Sequence, residues 1–333
     1  MSGATRCARR QRGVALLTAM LTVTLVATFA SAALWQQWRS VEIESAERSR
    51  TQMQWVLNGA LDWARLILQE DGRNGEIDHL SEPWALPLQE ARLSSFLALD
   101  KDNTDDAMDA FLSGQISDQQ ALLNVRNLVQ DGKVSMPSFH AFGRLFALLN
   151  LPRSQLQLLV DNLVASDAAA SPDTKTDIRP ETLANAPLKP YRMQQLAWLG
   201  LPRATVRALT PYVTLLPIAT PLNLNTAGAE VIYASVPDMD MAHAQQLVAQ
   251  RATAHFKTMA EALKSAGMAD PAVAQAAAKD FSVGTHFFAV RGRLRLGDSA
   301  VQEVSLVERN GGTVKVVWRQ RESLTAMAMA SLQ

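Results

Sequence analysis

The residues whose types and setting point most directly to chemistry are Gly13 and Val14. An arginine-rich stretch closing on RRQRG meets the apolar run VALLTAML, and no charge follows until Arg39. A glycine weakens a helix where the helix should begin. At this border it makes better sense as one side of a bond that a peptidase reads, with Thr18 then the fifth residue after the cut. Other candidates are weaker. The five histidines, His79, His140, His243, His255 and His286, are scattered and lack the HExxH spacing of a zinc protease. There is no G-x-S-x-G elbow, P-loop or dinucleotide fingerprint, and the single cysteine, Cys7, precedes Gly13. Asp100, Asp102, Asp105 and Asp106 form an acidic run without the glycine and closing glutamate of an EF-hand loop, which reads as a solvated loop. These patterns argue against an enzyme.

The elements that position Gly13 and Thr18 follow from hydropathy. Residues 13–38 carry no charge, enough at about 1.5 Å per residue to cross a hydrocarbon core of about 30 Å. Arg6, Arg9, Arg10 and Arg12 place the N-terminus in the cytoplasm, and Trp35 and Trp38 suit the far interface. Three readings compete. A secretory signal would be cut after the small residues Ala30, Ser31 and Ala32. A plain bitopic anchor would not be cut. A prepilin-type leader would be cut between Gly13 and Val14 and leave the apolar segment on the mature chain. Met53, Val56, Leu57, Ala60, Leu61, Ala64, Ile67 and Leu68 then recur at helical spacing. One helix from Val14 to about Glu70, lipid-embedded first and amphipathic after, is the spine of a pilin-like subunit and favours the third reading.

Charge is balanced at 32 basic against 32 acidic residues, but four of the arginines lie before Gly13. The remainder, 28 against 32, is net −4, which argues against a general nucleic-acid or anionic-membrane surface. The body is read as turn-rich from Gly72, as strand and turn over 114–129, and as largely helical from Asp131 to Asp280. Within it LNLPRSQLQLLV and LGLPRATVRALT echo each other fifty residues apart, each proline suiting a helix's first turn. Three β-rich runs close the chain: 286–296, 301–309 and 313–320, the last two flanking an Asn310-Gly311 hairpin turn. The fold class is α+β: a pilin-like N-terminal helix packed on an antiparallel sheet, with a large inserted all-α domain. The domains are leader 1–13, transmembrane part 14–36, first pilin-like part 37–130, helical insert 131–280, C-terminal strands 281–322 and flexible tail 323–333.

The run TPYVTLLPIATPLNLNTAGAEVIYASVPDM (210–239), taken with RQRGVALLTAML, LLNVRNLV, HFFAVRGRLRLGD and LVERN in this order, resembles the type II secretion system protein K family of minor pseudopilins. The resemblance covers nearly the whole chain. It implies a non-enzymatic subunit of the bacterial inner membrane, single-pass, with its body in the periplasm, that initiates and caps the pseudopilus for export of folded proteins. A prepilin peptidase would cut between Gly13 and Val14 and methylate the new N-terminus. Thr18 would hold mature position five, where most pilin-like subunits have glutamate. Implied partners are the minor pseudopilins I and J, membrane lipid, and the secretin or an exoprotein substrate. Calcium is implied by an acidic stretch of the family; here its counterpart VDNLVASD keeps Asp161 and Asp167 with Asn162, Val164 and Ser166 among them, and no ligands are assigned. The readings that stay open are a bitopic periplasmic protein, a type IV minor pilin, and a helix-hairpin-helix nucleic-acid module over 222–251. The hairpin of that last element, Val236 to Asp240, has no glycine and two acids where a phosphate would approach. It reads as a packing module, with Asn225 or Thr226 capping the helix that starts at Ala227.

Overall fold

A computed structural model describes residues 11–93, 110–170, 186–268, 270–296 and 299–324. The acidic run at 100–106 and the end of the tail lie outside these residues. The chain divides into two compact units, 1–56 and 57–333.

Helix α1 (Gln11–Asn74) is continuous. Among the described residues it already runs through Gly13 and Val14, and it ends four residues beyond Glu70. In the first unit residues 14–48 are exposed throughout. Their hydroxyls are satisfied within the helix: Thr18, Thr22, Thr24, Thr28 and Ser31 each donate to a carbonyl three or four residues back. Arg39 lies over the Trp35 ring at 5.8 Å.

In the second unit α1 buries Leu57, Leu61, Ala64 and Leu68, the expected amphipathic face. They meet a five-stranded antiparallel sheet of order β1-β2-β9-β10-β11. Strands β1 (Leu88–Arg92) and β2 (Ala110–Asp118) precede a helical block. The block holds short strands β3 (Leu123–Asn124), β4 (Val129–Gln130), β5 (Lys133–Val134), β6 (Val213–Thr214), β7 (Leu222–Asn223) and β8 (Phe281–Ser282). Its helices are α2 (Met136–Leu148), α3 (Arg153–Ala170), α4 (Arg203–Leu209), α5 (Ala229–Ser235), α6 (Met241–Thr253), α7 (Met259–Ser265) and α8 (Pro271–Ala277). Strands β9 (Phe287–Leu296), β10 (Ser299–Asn310) and β11 (Thr313–Leu324) complete the sheet. The hairpin loop is Gly311-Gly312, one residue beyond the expected turn, because Asn310 pairs with Thr313 in the ladder. Strand β11 carries regular structure to Leu324, into the stretch expected to be tail.

The block is an insertion between neighbouring strands: β2 pairs directly with β9, and Gln119 N donates to Phe287 O at 2.9 Å. Its own core starts at Leu123 and runs to Phe281, with Val125, Leu128 and Val129 among its members. The boundary expected at 131 therefore falls inside this core, since the apolar side chains of 123–129 pack on helices and not on the sheet. The two L-P-R echoes pack on each other. Thr205 Oγ1 donates to Gln155 Oε1 at 2.7 Å, and Asn162 Nδ2 donates to Leu199 O at 3.0 Å. Pro202 stands at the cap of α4, one place before the first turn, where its free carbonyl accepts from Val206 N.

Candidate functional site: a polar junction between sheet and insert

Where the insert meets the sheet, a set of buried polar side chains replaces apolar packing. Asp118, the last residue of β2, is fully buried. Its Oδ1 accepts from Gln120 N (2.7 Å) and Thr285 Oγ1 (2.6 Å), and its Oδ2 from Asn223 Nδ2 (3.0 Å) and Thr226 Oγ1 (2.5 Å). Burial pushes its pKa up to about 6, against the pull of these hydrogen bonds.

The run 222–226 supplies the insert's half. The strand ends at Asn223 and the chain turns over 224–226, with Asn225 N donating to Asn223 Oδ1 at 2.9 Å, so the two asparagines reach different partners. Asn223 reaches Asp118 and the Asp78 carbonyl (3.2 Å). Asn225 holds Phe256 by both backbone groups, accepting from its N at 2.9 Å and donating to its O at 3.0 Å. Neither Asn225 nor Thr226 caps a helix: α5 starts at Ala229, behind Gly228, and both side chains are spent on distant partners. The expected capping role is thus corrected. Arg251 donates to Leu224 O, and burial lowers its pKa to about 10.

Asp78 and Arg309 complete the junction. Asp78 accepts from Thr285 N (2.7 Å) and from Arg309 Nη2 (2.6 Å). Arg309, at the end of β10, also pairs with Asp71 of α1, donates to Thr285 O (3.0 Å) and stacks over Phe288 at 4.8 Å. Asp71 is raised to about 6, first by burial and then by the nearby Glu82 charge, which outweigh Arg309. Glu82 is also raised by burial, although it accepts from His79 N and Trp84 Nε1. His79 stacks on His255 of the insert with ring centroids 3.7 Å apart, and desolvation lowers both pKa values. Two glycines allow the close backbone approach. A Cβ on Gly284 would stand 2.0 Å from Glu76 O, and one on Gly72 2.5 Å from Gly311 O. A second clasp lies at the outer strand, where Arg192 of the insert bonds Gln320 Oε1 (3.0 Å) and stacks over Trp318 at 5.3 Å.

Neither of two acidic groups offers a cation a free set of ligands. Asp71, Asp78 and Glu82 bring oxygens within 4.8 Å of one another, but the Arg309 guanidinium already bridges the two aspartates. Asp161 and Asp167 do not converge. Asp161 accepts from Gln157 (2.8 Å), while Asp167 is held between Arg126 (2.8 Å) and Lys189 (2.9 Å). That pair does not fit a calcium ion. The hairpin between α5 and α6 keeps its two acids, and Asp240 spends its carboxylate capping α6 by accepting from His243 N, which lowers its pKa. A helix start already capped by an anion repels phosphate.

Sequence reasoning singled out the Asn223–Thr226 run and its helical context. It missed Asp78, Asp118, Thr285 and Arg309, whose only signal is a polar residue beside apolar strand positions. Gly13, Val14 and Thr18 lie together on α1, in the other unit.

Comparison with known proteins maps onto the same architecture. Two family models described as type II secretion system protein K match residues 121–218 and 222–284, together nearly the length of the insert. The break between them falls just before Leu222, where the junction run begins. Type II secretion system protein K of Pseudomonas aeruginosa is 29% identical, covering 93% of this chain and 93% of its own. That of Pectobacterium carotovorum is 28% identical, covering 93% and 96%. Among solved structures, a chain of the GspK-GspI-GspJ complex from enterotoxigenic Escherichia coli shares the fold, with a TM-score of 0.63 at 18% identity over 83% of this chain and 98% of that one. Helix, sheet and insert in this order, and matches that run along them, lead to one statement: over nearly its whole length the chain is similar to type II secretion system protein K.

Proposed function

We propose that this chain is a minor pseudopilin that initiates and caps the pseudopilus of a type II secretion system, serving export of folded proteins across the outer membrane by assembly and not by catalysis. The observation that carries the reading is the way Thr18 is satisfied. Its Oγ1 donates to the carbonyls of Val14 (3.1 Å) and Ala15 (3.0 Å), inside its own helix. A glutamate at this depth would need an outside partner such as a neighbour's terminal amine. A threonine needs none, which suits a subunit with nothing stacked above it.

The rest of the reading follows from the same helix. A prepilin peptidase removes residues 1–13 and methylates Val14, and the apolar segment holds the chain in the inner membrane until extraction, with the N-terminus cytoplasmic and the body periplasmic. Minor pseudopilins I and J are assigned as partners, a reading supported by the complex named for the solved relative. Trp63 and Leu66, 54% and 61% exposed on α1, offer them apolar surface. The insert, clasped to the sheet at two places, faces the secretin or an exported substrate.

N-terminal sequencing and intact mass, with and without a prepilin peptidase, test the reading. A peptidase-dependent start at methylated Val14 supports it. A start at Ala33 would make the mature chain a periplasmic protein without an anchor, and an uncut Met1 in both samples would leave a plain anchor; either result sinks the pseudopilin role.

A further inference from the structure

We propose that the sheet face turned away from α1 docks an acidic segment of a partner protein, held by the arginines of β9. Arg291, Arg293 and Arg295 occupy alternate positions and so share one face, about 7 Å apart along the strand. The intervening residues, Val290, Gly292 and Leu294, belong to the other face, where Val290 packs in the core under α1 and Gly292 lies against Leu57. The register sets each arginine in a polar or aromatic row. Arg291 stands between Gln115 and Val304, Arg293 between Ser113 and Gln302, and Arg295 between Phe111 and Ala300.

These cations are only partly neutralised. Arg295 lies over Phe111 at 4.1 Å and bonds Glu90 at 2.8 Å, and Arg92 stacks on the same ring at 5.6 Å. Arg293 donates one Nη to Gln302 Oε1 (3.3 Å) and leaves a buried Nε with no partner. Arg291 is exposed, and its side chain makes no ion pair or hydrogen bond among the described residues. Among the described residues the other acids of this face are Glu322, which accepts from Gln320, and Glu308, which accepts from Asn310. A basic row therefore stands on a chain that is net −4 beyond Gly13.

The ligand chemistry follows. Guanidinium forks match carboxylates bidentately, and an extended segment with acids at alternate residues repeats at the same interval of about 7 Å as the arginines. A long polyanion such as nucleic acid, or an anionic bilayer, would also meet the net negative charge of the remaining surface. A short acidic protein segment meets the arginine row alone.

The test uses the full chain in neutral detergent and a labelled ten-residue peptide alternating glutamate and threonine. Fluorescence anisotropy is expected to show salt-sensitive binding that the double variant R291E/R293E weakens at least tenfold, while R291K/R293K retains most of it. Should the double variant unfold, Arg291→Gln alone, at an exposed and unpaired position, is expected to weaken binding about threefold. Absence of peptide binding, or binding indifferent to these substitutions, would overturn the proposal. Equal or tighter arginine-dependent binding of oligothymidine or of phosphatidylglycerol vesicles would also overturn it, in favour of a general anion surface.

Discussion

Asn223 and Asp118 stand 105 residues apart in the chain and share a hydrogen bond of 3.0 Å between amide and carboxylate, both buried. One belongs to the insert and the other to the sheet, so the bond is a direct measure of how the two are joined. Removing the carboxylate in Asp118→Ala strands four donors at once. Each stranded group costs about 1–3 kcal/mol before relaxation, and a net loss of about 3 kcal/mol in urea unfolding is expected.

Arg309→Met leaves Asp78 buried with its cation gone. Breaking one side of such a pair costs about 3–5 kcal/mol, so this variant is expected to unfold well below the parent in thermal melts. Arg309→Lys recovers only part of the loss, because one ammonium cannot reach Asp71, Asp78 and the Thr285 carbonyl together.

The junction also sets a pH dependence. Asp118 and Asp71 have folded pKa values of about 6 against 3.8 in the open chain, so between these values the folded state binds more protons than the unfolded one. Their contribution to stability is then greatest at low pH and is lost as pH rises through about 4 to 6. Unfolding free energy at pH 5 is expected to exceed that at pH 7.5, and Asp118→Ala is expected to flatten the difference. Equal slopes for parent and variant would show that Asp118 is not the group responsible.

Two glycine substitutions separate close approach from helix propensity. Gly284→Ala drives a methyl into the Glu76 carbonyl and is expected to cost more than about 2 kcal/mol. Gly59→Ala, on α1 with nothing within 4 Å of the new Cβ, is expected to gain about 0.5–1 kcal/mol. Thermal melts of the two variants must move in opposite directions.

The parts of this fold that are legible in the sequence are those fixed by local periodicity. The 57, 61, 64, 68 stripe of α1 and the β10–β11 hairpin follow from spacings of three to four and of two, and the stripe is buried and the hairpin formed, with its loop one residue further on than the turn signal placed it. The junction is not local. Nothing near Asp118 in the chain says that its four donors come from positions 120, 223, 226 and 285. Asn225 and Thr226 carry helix-cap chemistry at a helix start, but tertiary partners outbid the cap once the chain is folded. Likewise LLNVRNLV is apolar in a way that fits sheet or helical core equally, and only the packing of Leu123, Val125 and Leu128 assigns it to the insert.

Gln119 N and Phe287 O, one residue outside each end of the insert, lie 2.9 Å apart. Departure and return at neighbouring rungs make the helical block a cassette: a turn of a few residues could close β2 onto β9 without altering any rung of the ladder. Changes of length inside the block therefore leave the strand register untouched, and the buried carboxylates, not the covalent connections, fix how the cassette sits on the sheet.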